Sequence, residues 1–234
     1  MLSFNDRDIR LVAFDADDTL WDNQSLFDTA VEDYCTLMSP YGTRDEMYAA
    51  LYKTECGNMD SLGYGTKAFI ISLVENAIRV SDGTIPEDQI IKAIHIGRRI
   101  LNNPATPLPG VTETLKTLQD RGKYRMVIFT KGDPLEQEAK IERSNLGKFF
   151  SDVEVVSNKT PLEYRRLCRH NGIAETQFVM VGNSFKSDIA PVLEMGGNAV
   201  LIPFGTLWEH ERVEEYDHPN LIRLEKFSDL TSVL

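Results

Sequence analysis

The stretch Leu11-Val-Ala-Phe-Asp-Ala-Asp-Asp-Thr-Leu20 is the part of this sequence from which the rest is best interpreted. Its first four residues are apolar and have the composition of a short buried strand, which then ends abruptly in carboxylates. Burying Asp15 and Asp17 at the end of a core strand would cost several kcal/mol each if they stayed ionised and unpaired. The stretch therefore predicts either a bound cation or a chemical role for these carboxylates.

Four further apolar runs follow, and each has the composition of a buried strand. They are residues 125–130, 153–156, 177–182 and 199–203. Amphipathic helical patterns alternate with them, at residues 111–121, 134–144, 161–170 and 187–196. This alternation predicts an α/β fold built on a doubly wound, parallel, Rossmann-like sheet with helices on both faces.

Three of the predicted strands end directly in polar residues, which are Asp15, Thr130 and Asn183. In doubly wound sheets the ligand binds beyond the carboxyl ends of the strands. We therefore expect these three side chains to contribute to one site.

The alternation of strands and helices breaks between residues 22 and 105. Only helical patterns occur there, at residues 26–38, 44–56, 67–79 and 86–101. Such a segment is far too long for a crossover connection. We therefore predict an all-helical cap domain at residues 22–105, inserted into a core made of residues 1–21 and 106–234, with a glycine-rich break at residues 57–65.

Composition excludes several classes of partner. A formal net charge of −11 over 234 residues argues against a nucleic-acid ligand, because phosphate-backbone binding depends on clustered Lys and Arg. No apolar run approaches the ~18 residues of a membrane span, so we expect no membrane partner. Three cysteines without a Cys-x-x-Cys pair, and no apparent export signal, favour a reducing, cytoplasmic location.

The pattern Asp-x-Asp-x-Thr after an apolar strand resembles the first motif of the haloacid dehalogenase (HAD) superfamily of hydrolases. Three later positions fit the same family in order along the chain: Thr130 at a strand end, Lys159 just before a helix that begins at Pro161, and the stretch Gly182-Asn-Ser-Phe-Lys-Ser-Asp188. The helical insertion resembles the cap that many members carry after the first motif. One departure is Asn183, which stands where the family's fourth motif has its first acidic residue.

The resemblance implies roles for the motif residues. Asp15 would be the nucleophile that forms an aspartyl-phosphate, and Asp17 would protonate the leaving oxygen and later deprotonate water. Thr130 and Lys159 would hold the phosphoryl oxygens.

The same resemblance implies a Mg²⁺ cofactor. Its ligands would be Asp15, the backbone carbonyl of Asp17, and Asp188. Asn183 is a further candidate, but its amide brings no charge, so we expect Asp188 to bear more of the metal binding.

The second aspartate favours a phosphatase over a dehalogenase, because displacing a halide leaves no alcohol oxygen to protonate. We therefore expect a Mg²⁺-dependent phosphatase whose partner is a small-molecule phosphate ester. A phosphotransferase or mutase using the same aspartate, and a non-catalytic module that binds a phosphorylated ligand, are the alternatives. Candidate substrate contacts are Lys131 in the core and Tyr64 and Lys67 in the cap; the sequence determines neither the substrate nor the oligomeric state.

Overall fold

The computed structural model describes residues 3–205 and 208–234, and these form one six-stranded parallel sheet. The strands are β1 (Leu11–Phe14), β2 (Arg125–Lys131), β3 (Asp152–Val156), β4 (Phe178–Gly182), β5 (Asn198–Leu201) and β6 (Leu221–Arg223). Their spatial order is β3-β2-β1-β4-β5-β6. The predicted doubly wound α/β class is confirmed.

The described residues form helices both within the predicted insertion at residues 22–105 and between the later strands. They are α1 (Gln24–Leu37), α2 (Arg44–Leu62), α3 (Thr66–Val80), α4 (Glu87–Arg98), α5 (Val111–Arg121), α6 (Pro134–Ser144), α7 (Pro161–His170), α8 (Ala190–Glu194) and α9 (Leu230–Val233). Helices α5, α6 and α7 have the predicted ends. Across residues 3–205 and 208–234, no helix has both the length and the apolar composition that a membrane crossing requires.

Strand register brings the candidate residues to one edge of the sheet. Phe14 pairs with Ile128 of β2 and with Val181 of β4. The next residue, Asp15, continues the ladder, and its N–H donates to the Val181 carbonyl at 2.9 Å. The order of strands reverses at β1 and β4, which is where doubly wound sheets open a ligand-binding crevice.

Both faces of the sheet are buried, because alternate side chains point to opposite sides of parallel strands that are covered by helices. Val12 and Phe14 belong to the core on one face, whereas Leu11 and Ala13 belong to the core on the other. The ring of Phe14 lies 5.7 Å from that of Phe150, in an edge-to-face arrangement. Two neighbouring strands and the cores on both faces therefore hold β1 in place, which gives the residues that follow it a rigid base.

Contacts within the chain define two compact units. One contains the sheet and comprises the residues up to Gln24, Ala105–Lys131 and Ala139–Leu234. The other is helical and comprises Ser25–Pro104 and Gly132–Glu138. The helical unit has a core of its own, in which the buried Tyr34 hydroxyl accepts a hydrogen bond from Asn76 at 2.9 Å. The domain boundaries given above remain a prediction.

One expectation about local structure is wrong, and one strand was not predicted. The stretch at residues 57–65 is not a loop throughout, because α2 continues to Leu62 and ends only at Gly63, whose φ of 70° suits glycine. A glycine such as Gly57 inside a helix costs too little to end it. Strand β6 was not predicted, since three residues give no period-two pattern.

The predicted helix at residues 187–196 is also wrong in part. A wide π-helical turn at Phe185–Ile189 precedes α8. Pro191 lacks the N–H that would bond to the carbonyl of Ser187 four residues earlier. The hydroxyl of Tyr164 on α7 donates to that carbonyl instead, at 2.9 Å.

Tyr164→Phe tests this substitute hydrogen bond. Loss of the hydroxyl leaves a buried carbonyl without its donor, so we expect the free energy of unfolding to fall by about 1–3 kcal/mol. Urea denaturation measures the change, with Tyr48→Phe at an exposed position of α2 as the matched control. Equal stability of the two variants would show that the Tyr164 hydroxyl contributes nothing.

Candidate active site

Asp15 lies directly after β1 and is buried, with 7% of its surface exposed. One carboxylate oxygen, Oδ1, accepts a short hydrogen bond from the Lys159 ammonium group. The other, Oδ2, lies 3.5 Å from the hydroxyl of Thr19, on the turn that follows the strand. The buried carboxylate therefore has a cationic partner on one side and a hydroxyl on the other.

Lys159 bridges two carboxylates. Its Nζ also donates to Oδ1 of Asp188 at 2.6 Å, and all three side chains are almost fully buried. The lysine is held in place by the start of α7, where Thr160 caps the helix and Pro161 occupies its first turn. The helix thus begins at Pro161 as predicted, and its start brings Lys159 to the edge of the sheet.

Burial and charge shift the pKa values of this group in opposite directions. Burial raises the pKa of Asp15, and the neighbouring carboxylates of Asp188 and Asp17 add to that effect, while Lys159 opposes it. Burial alone would lower the pKa of Lys159, but its two carboxylate partners raise it above the ordinary value. The lysine therefore stays protonated, and its charge opposes the effect of burial on the pKa of Asp15.

Gly182, the last residue of β4, makes room for Asp188. A Cβ atom at position 182 would lie 2.2 Å from Oδ2 of Asp188, a distance that side chains do not tolerate. The same Oδ2 accepts a hydrogen bond from the backbone N–H of Ser184 at 3.0 Å. The carboxylate thus packs directly onto the backbone of the strand end.

Asn183 lies beside the first motif. Its Oδ1 accepts a hydrogen bond from the Thr19 hydroxyl at 3.2 Å, and the residue is half-buried. Thr19 therefore joins the end of β4 to the turn after β1. The structure brings Asp15, Asp188, Lys159 and Asn183 together, and the roles assigned to them remain predictions.

Thr130 and Lys131 end β2, next to β1. Thr130 is almost completely buried, with 1% exposed. The Lys131 ammonium makes a short ion pair with Glu211 and donates to the Ser187 hydroxyl at 3.0 Å. Lys131 therefore already has an anionic partner, which sequence analysis did not foresee.

Glu211 ties the C-terminal part of the chain to the fourth-motif loop. Its Oε2 accepts hydrogen bonds from the hydroxyls of Ser184 and Ser187, the latter at 2.6 Å. Burial would raise the pKa of Glu211, but the Lys131 ammonium and the two hydroxyls lower it to about 2. Glu211 was missed because nothing in its local sequence distinguishes it from a surface glutamate.

The Asp17 carboxylate contacts two residues that sequence analysis also missed. Lys140 on α6 places its Nζ 2.7 Å from each carboxylate oxygen, and the indole N–H of Trp21 donates to Oδ1 at 2.8 Å. The Asp17–Trp21 spacing in the first motif is a local signal for the indole contact. Lys140 has no comparable signal, because it is 123 residues away along the chain.

The turn between Asp17 and Trp21 is unusual in its backbone. Asp18 adopts a left-handed conformation with a φ of 62°, and its N–H donates to the Trp21 carbonyl at 2.7 Å. Its carboxylate accepts hydrogen bonds from the N–H groups of Asn23 and Gln24, both at 2.8 Å. Burial raises the pKa of Asp18 to about 7. These bonds explain why a non-glycine residue keeps this conformation.

Tyr64 and Lys67 belong to the helical unit, at the start of α3. Lys67 forms an ion pair with Asp133 at 2.8 Å, and 55% of its side chain is exposed. Tyr64 is half-buried. The substrate role of both residues remains a prediction.

The donor set of the site fits a divalent metal ion. Carboxylates outnumber ammonium groups four to two in the set formed by Asp15, Asp17, Asp18, Asp188, Lys140 and Lys159. A cation would offset this excess negative charge, including the repulsion that adds to the effect of burial on the pKa of Asp15. Hard oxygen donors are those that Mg²⁺ prefers, so the residues present suit it.

A second group of possible metal ligands is found elsewhere on the sheet unit. Asp152 and Glu154 on the edge strand β3 and His170 on α7 bring their ligand atoms within 4.8 Å of one another. Asp152 and His170 are exposed, and His170 already contacts Glu154 at 3.1 Å. None of these three residues was predicted as a ligand, and exposed acidic groups of this kind are common without a metal.

Comparison with known proteins gives a consistent picture. The sequence profile of the haloacid dehalogenase-like hydrolases matches residues 9–196. A glyceraldehyde 3-phosphate phosphatase from Pyrococcus furiosus is 28% identical over 212 residues, which cover 85% of this chain and 82% of that protein. The crystal structure of a haloacid dehalogenase-like family hydrolase from Xanthomonas campestris is 34% identical, with a TM-score of 0.87 over 97% of this chain and 91% of that one.

A more distant structure shows a likeness of fold alone. The 2-haloacid dehalogenase from Pseudomonas syringae is 20% identical, with a TM-score of 0.62 over 96% of this chain and 97% of that one. At this identity the shared fold does not transfer an activity.

Gly182→Ala tests the close packing of Asp188. The added methyl group must displace the carboxylate, so we expect loss of at least about 1–3 kcal/mol of stability, or a displaced Asp188 with impaired function. Thermal unfolding and a crystal structure of the variant measure both outcomes. Gly57→Ala is the control, since a Cβ there meets nothing within 4 Å; equal behaviour of the two variants would contradict the prediction.

Proposed function

This chain belongs to the haloacid dehalogenase-like hydrolase family, and we propose that it is a phosphatase that cleaves a small phosphate ester through phosphorylated Asp15. Its class as a hydrolase, expected from the sequence, is confirmed by the family. The observation that carries the proposal is the buried Asp15, bridged through Lys159 to Asp188 at the carboxyl ends of β1 and β4.

Two half-reactions account for the residues present. An Asp15 oxygen attacks phosphorus, the bond from phosphorus to the ester oxygen breaks, and Asp17, which carries a proton at this stage, gives that proton to the leaving oxygen. Water then attacks the phosphorus of the aspartyl-phosphate, Asp17 takes a proton from the water, and inorganic phosphate leaves with Asp15 regenerated. Asp17, two residues from the nucleophile, therefore acts as the acid in the first half-reaction and as the base in the second.

Lys159 and Thr130 supply charge and orientation. The ammonium of Lys159 lies against Asp15 and offsets the repulsion between the nucleophile and a phosphate dianion. Thr130 at the end of β2 offers a hydroxyl to a phosphoryl oxygen. Lys131 is a further candidate for substrate contact, although Glu211 already balances its charge. Positioning and charge neutralisation carry most of a phosphoryl transfer.

We assign Asp15, Asp188 and the backbone carbonyl of Asp17 as the residues that would hold Mg²⁺, because the Asp17 carboxylate is engaged by Lys140. When bound, the ion neutralises charge on the transferring phosphoryl group. Asn183 is a weaker candidate, since its Oδ1 already accepts a hydrogen bond from Thr19.

We propose a small phosphorylated metabolite as the substrate. The Pyrococcus furiosus relative is named for a three-carbon phosphate, so glyceraldehyde 3-phosphate and similar triose phosphates come first in a substrate panel. The second aspartate, Asp17, favours an ester over a haloacid, because an alkoxide leaving group needs a proton.

Asp15→Asn is the central test. Removal of the nucleophile should abolish phosphate release from the panel, a loss of at least about 10³-fold, and chelation of Mg²⁺ should abolish it in the parent. Released phosphate is measured with and without Mg²⁺, and Asp120→Asn on the exposed face of α5 serves as the control.

Other outcomes of this experiment decide between the alternatives. Isomerised product without free phosphate would establish the phosphotransferase or mutase. Ligand-induced stabilisation without any turnover would establish the binding module, and halide release from a 2-haloacid would establish the dehalogenase.

Asn183→Asp tests the metal assignment. A carboxylate beside Asp15 and Asp188 adds a negative charge at the proposed site, so we expect Mg²⁺ to bind about tenfold more tightly, which corresponds to 1.4 kcal/mol. Titration calorimetry with Mg²⁺ measures the affinity directly. An unchanged affinity would place Asn183 outside the reach of the ion.

A further inference from the structure

We propose that Lys140 is a positioning residue for Asp17, fixing the carboxylate that exchanges protons with the leaving oxygen and with water. The inference rests on the proposed phosphatase function and extends it to α6, to which no sequence motif assigns a role. The proposal is based on the contact of the buried Lys140 ammonium group with both oxygens of Asp17.

The contact between Lys140 and Asp17 is close and symmetrical. The Nζ atom lies 2.7 Å from Oδ1 and 2.7 Å from Oδ2, and the lysine side chain is 1% exposed. Its Nζ also lies 3.5 Å from the side-chain oxygen of Asn23. An ammonium that engages both oxygens fixes the plane of the carboxylate as well as its distance.

Stability is a poor explanation for such a lysine. Removing an ammonium group from water is costly, and replacing both partners of a buried ion pair by apolar residues is often neutral or stabilising. The charge at position 140 is therefore better explained by what it does to Asp17.

Trp21 holds Asp17 from a second direction. The indole is fully buried and its N–H donates to Oδ1 at 2.8 Å. The backbone around Trp21 is itself fixed, because its carbonyl accepts the N–H of Asp18 at 2.7 Å. Two donors on rigid elements therefore determine where the Asp17 carboxylate stands, and loss of either should let it rotate.

The chemical consequence concerns proton transfer. A general acid must lie within hydrogen-bond distance of the oxygen it protonates, and a displacement of about 1 Å can cost about 10²-fold in rate. A misplaced Asp17 would slow esters with a poor leaving group, because those depend on the proton. Esters with a good leaving group depend on it much less.

Lys140→Met removes the charge with little change in volume. Release of the alcohol in a single turnover isolates the first half-reaction, so a slow second step cannot mask the effect. We expect a loss of about 10²-fold or more for an alkyl phosphate such as glycerol phosphate and a much smaller loss for p-nitrophenyl phosphate, with substrate affinity nearly unchanged. Lys116→Met, at an exposed lysine of α5, is the control.

The double variant Asp17→Asn with Lys140→Met separates positioning from a general structural effect. If Lys140 acts through Asp17, the double variant should be no slower than Asp17→Asn alone. Equal losses for the two esters in Lys140→Met, or a further loss in the double variant, would overturn the proposal.

Two further variants keep the test decisive. If Lys140→Met does not fold, Lys140→Gln and Trp21→Phe carry the same comparison of esters, since each weakens the hold on Asp17 with little change in packing. A parent enzyme with no turnover, or an Asp15→Asn variant that retains it, would instead contradict the proposed function.

Discussion

Two buried carboxylates share the ammonium group of Lys159, and the geometry of the site depends on this one cation. Asp15 and Asp188 come from the ends of different parallel strands or the loops beyond them, and both are removed from water. Without a shared cation, their mutual repulsion and the loss of hydration would oppose folding. The start of α7 must therefore deliver Lys159 to the same edge of the sheet, and the order of strands makes this possible.

Several features from different parts of the chain hold Asp188 in place beside Lys159. Gly182 has no side chain because the carboxylate of Asp188 lies against its Cα atom. The wide turn at Phe185–Ile189 carries Asp188 inward, and Tyr164 satisfies the carbonyl that Pro191 leaves without its helical donor. Glu211 then fixes the same loop through Ser184 and Ser187. Each feature stabilises a loop that would otherwise be free to move the carboxylate.

Helix α6 shows how a correct local prediction can miss a functional role. Its bounds were predicted from its amphipathic pattern, and the structure confirms them. Its buried face, however, is largely polar and includes Glu136, Gln137 and Lys140. A helix normally buries its apolar stripe. Sequence periodicity therefore gave no indication that Lys140 contacts Asp17.

The resemblance to the family suggested Lys159 and Asp188. The sequence by itself determined the α/β class, the main strands, the ends of α5, α6 and α7, and the placement of Asp15, Thr130 and Asn183 at strand ends. These depend on local signals: apolar runs, helix caps and polar residues at strand ends. Only the tertiary structure decided the partners Lys140 and Glu211, the packing of Asp188 on Gly182, and the three-residue strand β6. Such contacts join residues far apart along the chain, and their energies arise from burial and charge in the folded state, which local periodicity does not encode.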